Sequence, residues 1–359
     1  MKLNRNRSFR APLRRRSLPA AVGGAANVLL LLIIGSSAHA QNDRIRLWSG
    51  NETGEITKTT PLEVTIERGS ASKAIPVSEI RSIVFGGEPS ELTQARVNAD
   101  NGGFQPALAA LEKIDLAQVK SELIRQDIEF YKAYVAAKQA LMGERPVAEA
   151  GREMYAFVNS AKESYHFLQA TEVLGDLLVA SGKYSDAQRQ YDTLAKTPWP
   201  SYKMRAAVLT GRALQAEKKH AEALQQFNAA LSLKDDSEEG KRQALAAQLG
   251  KAVSLSATSK VEEGVKIVEE VISQANPEDK ELNARAYNAL GTCYEQADQI
   301  KPALFAYLHT DLLYSSVPEA HAEALSRLAE LWEKIGQPTQ ARQARETLEE
   351  RYASTRWAK

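Results

Sequence analysis

A small residue recurs twelve positions ahead of an alanine at five places along this chain. The pairs are Ala95/Ala107, Gly175/Ala187, Gly211/Ala223, Gly291/Ala303 and Ala329/Ala341. Apolar residues around each pair follow the helical period of 3.6, and a short polar run separates the two members. Two helices approach closely only where glycine or alanine meets the neighbouring backbone. The spacing therefore predicts a tandem series of helical hairpins after Ser90.

Two regions depart from this spacing. Gly250 and Gly264 are fourteen residues apart, which predicts a longer turn around residues 257–260. Between Ser121 and Val158 no pair can be recognised, but the apolar period predicts helices over residues 129–141 and 147–158. The Gly- and Pro-containing run 143–146 predicts the turn between them.

The segment from Arg285 to Pro318 carries a family resemblance. Tyr287, Leu290-Gly291 and Tyr294 precede Ala303 and Tyr307, and this order of large and small residues resembles the tetratricopeptide repeat. The resemblance implies a superhelical solenoid of helix pairs with a concave groove over residues 89–359. We therefore predict a mainly α fold, an α-α solenoid preceded by a small all-β barrel-like domain.

That β domain is predicted over residues 41–88. Apolar residues such as Ile45, Leu47, Val64 and Ile66 alternate with polar ones, as in strands with one buried face. The order of short strands and glycines resembles an SH3-like or Sm-like module. Gly86-Gly87-Glu88-Pro89 ends the alternation, and this is the predicted domain boundary.

Residues 1–40 have the pattern of a cleaved signal peptide. Seven Lys and Arg and no acid precede an apolar stretch centred on residues 28–34, and Ala38-His39-Ala40 fits a cleavage site. We expect export to the periplasm without a stable membrane anchor after cleavage. The alternative is an uncleaved N-terminal segment that anchors the protein in the membrane.

The charge balance beyond the leader argues against nucleic acid as a partner. Although the chain has a net charge of +1, residues 41–359 hold 39 basic and 45 acidic residues, a net charge of −6. Nucleic-acid binding depends on clustered Lys and Arg that neutralise phosphates. A mildly acidic body does not favour that function.

No motif in the sequence predicts catalysis or a cofactor. The chain lacks a phosphate-binding glycine loop, a zinc-binding His-Glu-x-x-His, cysteine pairs and a serine nucleophile elbow. Its one cysteine, Cys293, lies on the apolar side of a predicted helix and is expected to be a small buried side chain. We expect a protein that is not an enzyme and uses no metal or cofactor.

The repeat resemblance also implies where a ligand would bind. In that family, contacts come from the first helix of each hairpin, one residue after the small marker residue and three and six before it. Among the residues at these positions, those predicted to bind the peptide are Gln169, Arg205, Arg212, Lys251, Arg285 and Asn288. Cations and an amide on a concave surface suit a protein or peptide partner with an acidic or carboxylate-bearing segment.

Two other functions fit the same sequence. The β domain around Trp48 could bind cell wall or polysaccharide, with the repeats as a spacer. Alternatively, the protein could be an accessory subunit that positions an envelope enzyme. The first interpretation remains a non-catalytic scaffold in a bacterial envelope assembly.

Overall fold

A computed structural model describes residues 42–358. The predicted signal peptide and its cleavage site lie outside these residues. The described part begins with five antiparallel strands and continues as fourteen α-helices, and these residues form one compact unit. The predicted mainly α solenoid behind a small β domain is confirmed.

The β region is a single bent sheet. Its strands are β1 (Asp43–Leu47), β2 (Gly50–Thr59), β3 (Glu63–Arg68), β4 (Ala71–Pro76) and β5 (Ile80–Val84). The order across the sheet is β4-β3-β2-β1-β5, and a 3₁₀ turn at Val77–Glu79 joins β4 to β5. Strand β2 is long enough to pair with β1 in its first half and β3 in its second, with a register shift between Ile56 and Lys58. Such an irregularity bends a strand and curls the sheet.

The sheet shares its core with the first helices. Ile45, Val64 and Ile83 are fully buried and belong to the same apolar cluster as Leu92 and Ile128. The Thr59 hydroxyl also donates to the backbone carbonyl of Glu163, 3.0 Å away. The β region is therefore packed on the helices rather than suspended from a linker.

The helices form seven consecutive hairpins. They are α1 (Ser90–Asp100), α2 (Phe104–Leu111), α3 (Glu122–Leu141), α4 (Val147–Ser160), α5 (Phe167–Ala180), α6 (Tyr184–Ala195), α7 (Pro200–Ala216), α8 (His220–Ser232), α9 (Glu238–Ala257), α10 (Val261–Gln274), α11 (Lys280–Gln296), α12 (Ile300–Leu313), α13 (Pro318–Lys334) and α14 (Pro338–Tyr352). None of the described helices is long and apolar enough to cross a membrane.

The glycine of each marker pair lies beneath an aromatic ring of its own hairpin. A Cβ added at Gly211 would lie 2.6 Å from the Phe227 ring, and one at Gly291 would lie 2.7 Å from the Tyr307 ring. Both rings are fully buried. The spacing predicted that the two helices of a hairpin approach closely at the glycine. In the structure the ring of the second helix packs directly on that glycine.

The prediction of a longer turn after α9 is wrong. Thr258–Lys260 is a three-residue turn like Glu217–Lys219 and Ala297–Gln299. The partner of Gly264 is Ala252, twelve residues earlier, whose carbonyl oxygen would lie 2.6 Å from a Cβ at Gly264. Gly250 instead packs on the Phe227 ring of the preceding hairpin. Gly250 therefore belongs to the contact between two hairpins, and it is not the small residue that pairs with Gly264 within its own hairpin.

The first helices of the hairpins make a continuous layer. Helices α4, α6, α8, α10 and α12 each pack between two first helices. Packing contacts link α3 to α5, and they link α7, α9, α11 and α13 in turn, while the ion pair between Arg205 and Glu172 joins α5 to α7. We call these six helices the inner layer. Their exposed side chains form the surface on which the predicted binding residues lie.

Candidate functional site: the inner layer

Ion pairs join neighbouring helices of the inner layer. Arg205 on α7 contacts Glu172 on α5 at 2.7 Å and Glu239 on α9 at 3.4 Å. Arg242 on α9 contacts Asp279, the N-cap of α11, at 3.0 Å. These pairs lie in the N-terminal half of each helix and therefore run along one side of the layer.

Arg285 continues this series toward the C-terminus. It contacts Glu281 at 3.3 Å within α11 and Glu319 on α13 at 3.0 Å. Arg285 and Arg356 hold the pKa of the Glu319 carboxyl down at about 2. Burial alone would lower the pKa of Arg285, but Glu319 and Glu281 outweigh it and raise that pKa. Two of the predicted binding cations, Arg205 and Arg285, are thus neutralised within the protein.

Arg212 on α7 differs from these arginines. Within residues 42–358 it has no carboxylate in salt-bridge distance and no hydrogen-bond acceptor. Burial, and next the charge of Arg285, lowers the pKa of Arg212 to about 10. A guanidinium in this setting lacks the counter-charge that such groups usually have. It is the inner-layer arginine with unused capacity to bind an anion.

Asp176 lies one residue past the marker of α5, as Arg212 does on α7. Its carboxylate accepts a hydrogen bond from the Tyr191 hydroxyl at 2.9 Å. Burial, together with the nearby charge of Glu172, raises the pKa of Asp176 to about 7. The surface therefore contains a carboxyl group that changes charge near neutral pH, close to an unpaired cation.

Lys138 on α3 is an inner-layer cation that the sequence did not reveal. Its ammonium lies over the Tyr134 ring, 5.4 Å from the centroid, and has no ion-pair partner within the described range. Burial would lower the pKa of Lys138, but Tyr134, Asp176, Glu172 and Glu281 outweigh it and raise that pKa. No marker pair fixes the register of α3, so its inner positions could not be assigned from sequence.

The remaining predicted residues occupy different settings. Gln169 is exposed in the first turn of α5. Asn288 is 3% exposed, and its amide nitrogen donates to the Ala320 carbonyl at 2.8 Å and to Glu323 at 3.0 Å. Its amide oxygen is buried without a partner. Asn288 therefore joins α11 to α13, and only its oxygen is left to accept a bond.

Lys251 does not lie at the helix position from which it was predicted to be a binding residue. With Ala252 as the small residue paired with Gly264, the position equivalent to Asp176 and Arg212 is Val253. Lys251 then lies on a neighbouring stripe of α9. The inner surface at α9 is accordingly more apolar than predicted, with Ala246, Leu249 and Val253 at the three family positions.

A buried polar network lies apart from this surface, where the β region meets the helices. Asp127, 1% exposed, accepts hydrogen bonds of 2.7 Å from Arg96, Tyr165 and His166. Arg96 also forms a two-pronged pair with Glu88 at 3.0 and 2.9 Å. Burial lowers the pKa of His166 despite the neighbouring carboxylate. The network fixes the residues after β5 against α1, α3 and the α4–α5 loop.

Trp48 stands on the turn between β1 and β2. It is 73% exposed, and the Arg81 guanidinium lies 5.9 Å from its ring centroid. The ring is therefore not part of the packing against the helices.

The described residues offer no metal centre and no activated thiol. No group of three His, Cys, Asp or Glu side chains in this part of the chain could hold a metal ion. Burial raises the pKa of Cys293 to about 11, which keeps the thiol protonated and unreactive. What the inner layer can do chemically is to bind anions and hydrogen-bond acceptors.

Comparison with known proteins agrees with this architecture. The tetratricopeptide repeat family model matches residues 173–238, which span most of α5 to α8. No curated protein matches the chain.

Several solved structures are similar to the chain in fold. A Rap protein complexed with Competence and Sporulation Factor has a TM-score of 0.52 at 12% identity, covering 75% of this chain and 74% of that one. NprR in complex with its cognate peptide NprX has a TM-score of 0.49 at 16% identity, covering 74% and 80%. A tetratricopeptide repeat protein from Parabacteroides merdae has a TM-score of 0.48 at 16% identity, covering 73% and 92%.

Proposed function

We propose that this protein is a non-catalytic scaffold that binds a protein or peptide on its inner layer, with an acidic segment of the partner at Arg212. The observation that carries the proposal is the Arg212 guanidinium, which has no partner among residues 42–358. The other arginines of the inner layer each contact an acceptor: Arg125, Arg205, Arg242, Arg285 and Arg327. The Rap protein of similar fold is complexed with a separate factor, which supports this use of the fold by analogy.

The proposed contact is electrostatic and directional. A carboxylate placed at Arg212 would accept two parallel N–H bonds and supply the missing counter-charge. Lys138 would add a second positive charge, because both cations lie close to Asp176 and Glu281. These groups fit an extended acidic peptide better than a neutral one.

The test is partner capture by the Arg212→Glu variant. A fluorescein-labelled oligoglutamate peptide serves as a defined probe, and photo-crosslinking in the native extract finds the natural partner. We expect a loss of affinity of about tenfold or more, since the variant replaces attraction by repulsion. Arg342→Glu, on the exposed face of α14, is the matched control. Equal capture by the wild type and Arg212→Glu would refute the site.

A second candidate function rests on Trp48. An exposed tryptophan beside an arginine is a flat apolar platform of the kind that stacks on sugar rings or on a partner's side chains. We propose cell-wall or polysaccharide binding by the β region as the alternative. Sedimentation with isolated cell wall, comparing the wild type with Trp48→Ala and Arg212→Glu, separates the two functions.

We also propose that the protein acts outside the cytoplasm, in a bacterial envelope assembly. The proposal rests on the basic and apolar pattern of residues 1–40 and the Ala38-His39-Ala40 site. Cell fractionation with N-terminal sequencing tests it. A mature chain that starts at Gln41 in the periplasmic fraction supports export, and an intact N-terminus in the cytoplasm contradicts it.

A further inference from the structure

The second hairpin of the helical array meets the C-terminal end of the array. Gly143, in the turn between α3 and α4, packs against the backbone at the end of α14. A Cβ added at Gly143 would lie 2.9 Å from the Tyr352 Cα and 3.2 Å from the Thr355 Cγ2. Gly143 also has a φ of +85°, so the turn needs glycine both for its conformation and for this approach.

The C-terminal side of this contact is held firmly. The Thr355 hydroxyl donates to the Tyr352 carbonyl at 2.8 Å, and the Tyr352 hydroxyl bonds to His321 at 2.8 Å. Arg356 follows and reaches Glu319 on the inner layer at 3.9 Å. The residues that Gly143 touches are thus fixed to α13.

Charged groups from the two ends of the inner layer share one space. Glu281 on α11 contributes to the raised pKa of Lys138 on α3, although burial is the largest influence there and acts in the opposite direction. Glu319 on α13 likewise contributes to the raised pKa of Asp176, after burial and Glu172. Helices on opposite sides of the array are therefore near enough for their charges to interact.

The contact itself is small. Met142 is half-buried, and Glu144 is exposed. The hairpins on each side keep their own cores, because Tyr307, Leu328 and Leu348 belong to a cluster separate from that of α3 and α4. Such a contact can open without unfolding the helices that carry it.

We propose that Gly143, Tyr352 and Thr355 form a clasp that closes the solenoid into a ring around Arg212 and opens to admit a peptide segment. This inference rests on the proposed binding function and adds to it how the site is reached. A closed ring excludes a folded domain, so the partner enters as an extended segment.

The test measures access to the ring interior without any partner. Arg212→Cys provides a thiol at the site, while the buried Cys293 stays silent. The rate of modification by a bulky polyethylene-glycol maleimide is divided by the rate with N-ethylmaleimide. We expect Gly143→Ala to raise this ratio by about fivefold or more, because the added methyl group pushes the clasp open.

The matched control is Gly182→Ala. Gly182 also has a positive φ, +73°, but nothing lies within 4 Å of an added Cβ. Both variants place an alanine at a positive φ, but only the methyl group at position 143 would clash with Tyr352. Equal ratios in Gly143→Ala and Gly182→Ala would overturn the clasp.

Failure of the clasp and failure of the proposed function give different results. Maleimide labelling needs no partner, so it can support the clasp even when Arg212→Glu leaves capture unchanged. Conversely, loss of capture in Arg212→Glu together with equal labelling ratios would leave an open groove as the binding site.

Discussion

At the scale of single residues, the inner layer contains both charged side chains with ion-pair partners and charged side chains without them. Arg205 and Arg285 each bridge two carboxylates, whereas Arg212 and Lys138 have none in reach within the described residues. The sequence could place Arg205, Arg212 and Arg285 on one surface. It could not show which of them are paired, because the partners Glu172, Glu239 and Glu319 come from other hairpins.

Asp176→Asn should make stability less dependent on pH. The pKa of Asp176 is about 7 in the folded protein and 3.8 in an unfolded chain, so the folded state binds the proton more tightly. This stabilisation is complete below pH 3.8 and is lost as pH rises through 7. We expect the variant to be more stable than the wild type at pH 8, by roughly 1–2 kcal/mol after solvent screening, and nearly equal at pH 4.

Thermal unfolding at several pH values measures this effect. Asp186→Asn, on the exposed side of α6, is a control that should leave the difference between pH 4 and pH 8 as in the wild type. A constant offset between Asp176→Asn and the wild type across this range would contradict the assignment.

Arg285→Glu should destabilise the protein as well as disturb binding. A glutamate at position 285 would face Glu281 and Glu319, the two carboxylates that Arg285 contacts in the wild type. We expect Arg285→Glu to cost about 1–3 kcal/mol in urea unfolding, more than Arg212→Glu, which breaks no ion pair. Equal stability of the two variants would contradict the pairing.

At the scale of helices, small residues carry most of the information that the sequence holds about the fold. Each marker glycine faces an aromatic ring sixteen residues later, as Gly175 faces Tyr191 and Gly291 faces Tyr307. This relation is local, so the hairpins could be predicted from their own sequence. The register of α9 could not be predicted in this way, because Gly250 packs against Phe227 in the preceding hairpin.

Gly291→Ala and Gly151→Ala should have opposite effects on stability. Both glycines lie inside helices, where alanine is favoured by about 1 kcal/mol. Nothing lies within 4 Å of a Cβ at Gly151, so its substitution should stabilise the protein by about 0.5–1 kcal/mol. At Gly291 the methyl group would strike the Tyr307 ring, and we expect a loss of about 1–3 kcal/mol. Urea unfolding of the two variants measures both; a gain at Gly291 would contradict the packing.

At the scale of the whole molecule, contacts are mostly between neighbouring hairpins, but Gly143 and Tyr352 join distant ones. The sequence predicted the first kind, since periodicity and spacing repeat along the chain. The sequence did not predict the contact between Gly143 and Tyr352. Each of these residues is already explained by its local structure, Gly143 by a turn and Tyr352 by the end of a helix. The β region was likewise predictable in its alternation, but not in the shared core that joins it to Leu92 and Ile128.

Removal of residues 353–359 should open the ring without unfolding the helices. The truncation takes away Thr355, which packs against Gly143, and Arg356, which reaches Glu319. We expect an increased radius of gyration by small-angle X-ray scattering and an unchanged helical signal in far-UV circular dichroism. An unchanged radius would show that the remaining contacts keep the ends together.

The meeting of Gly143 with Tyr352 also bears on how the chain matures during its synthesis. The hairpins can form one after another as the chain emerges from its N-terminal end, because each relies on residues close by. The contact of Gly143 can form only when Tyr352, about two hundred residues later, is in place. During that interval the interior stays open to the surroundings, so a partner met early could be enclosed when the last helix arrives.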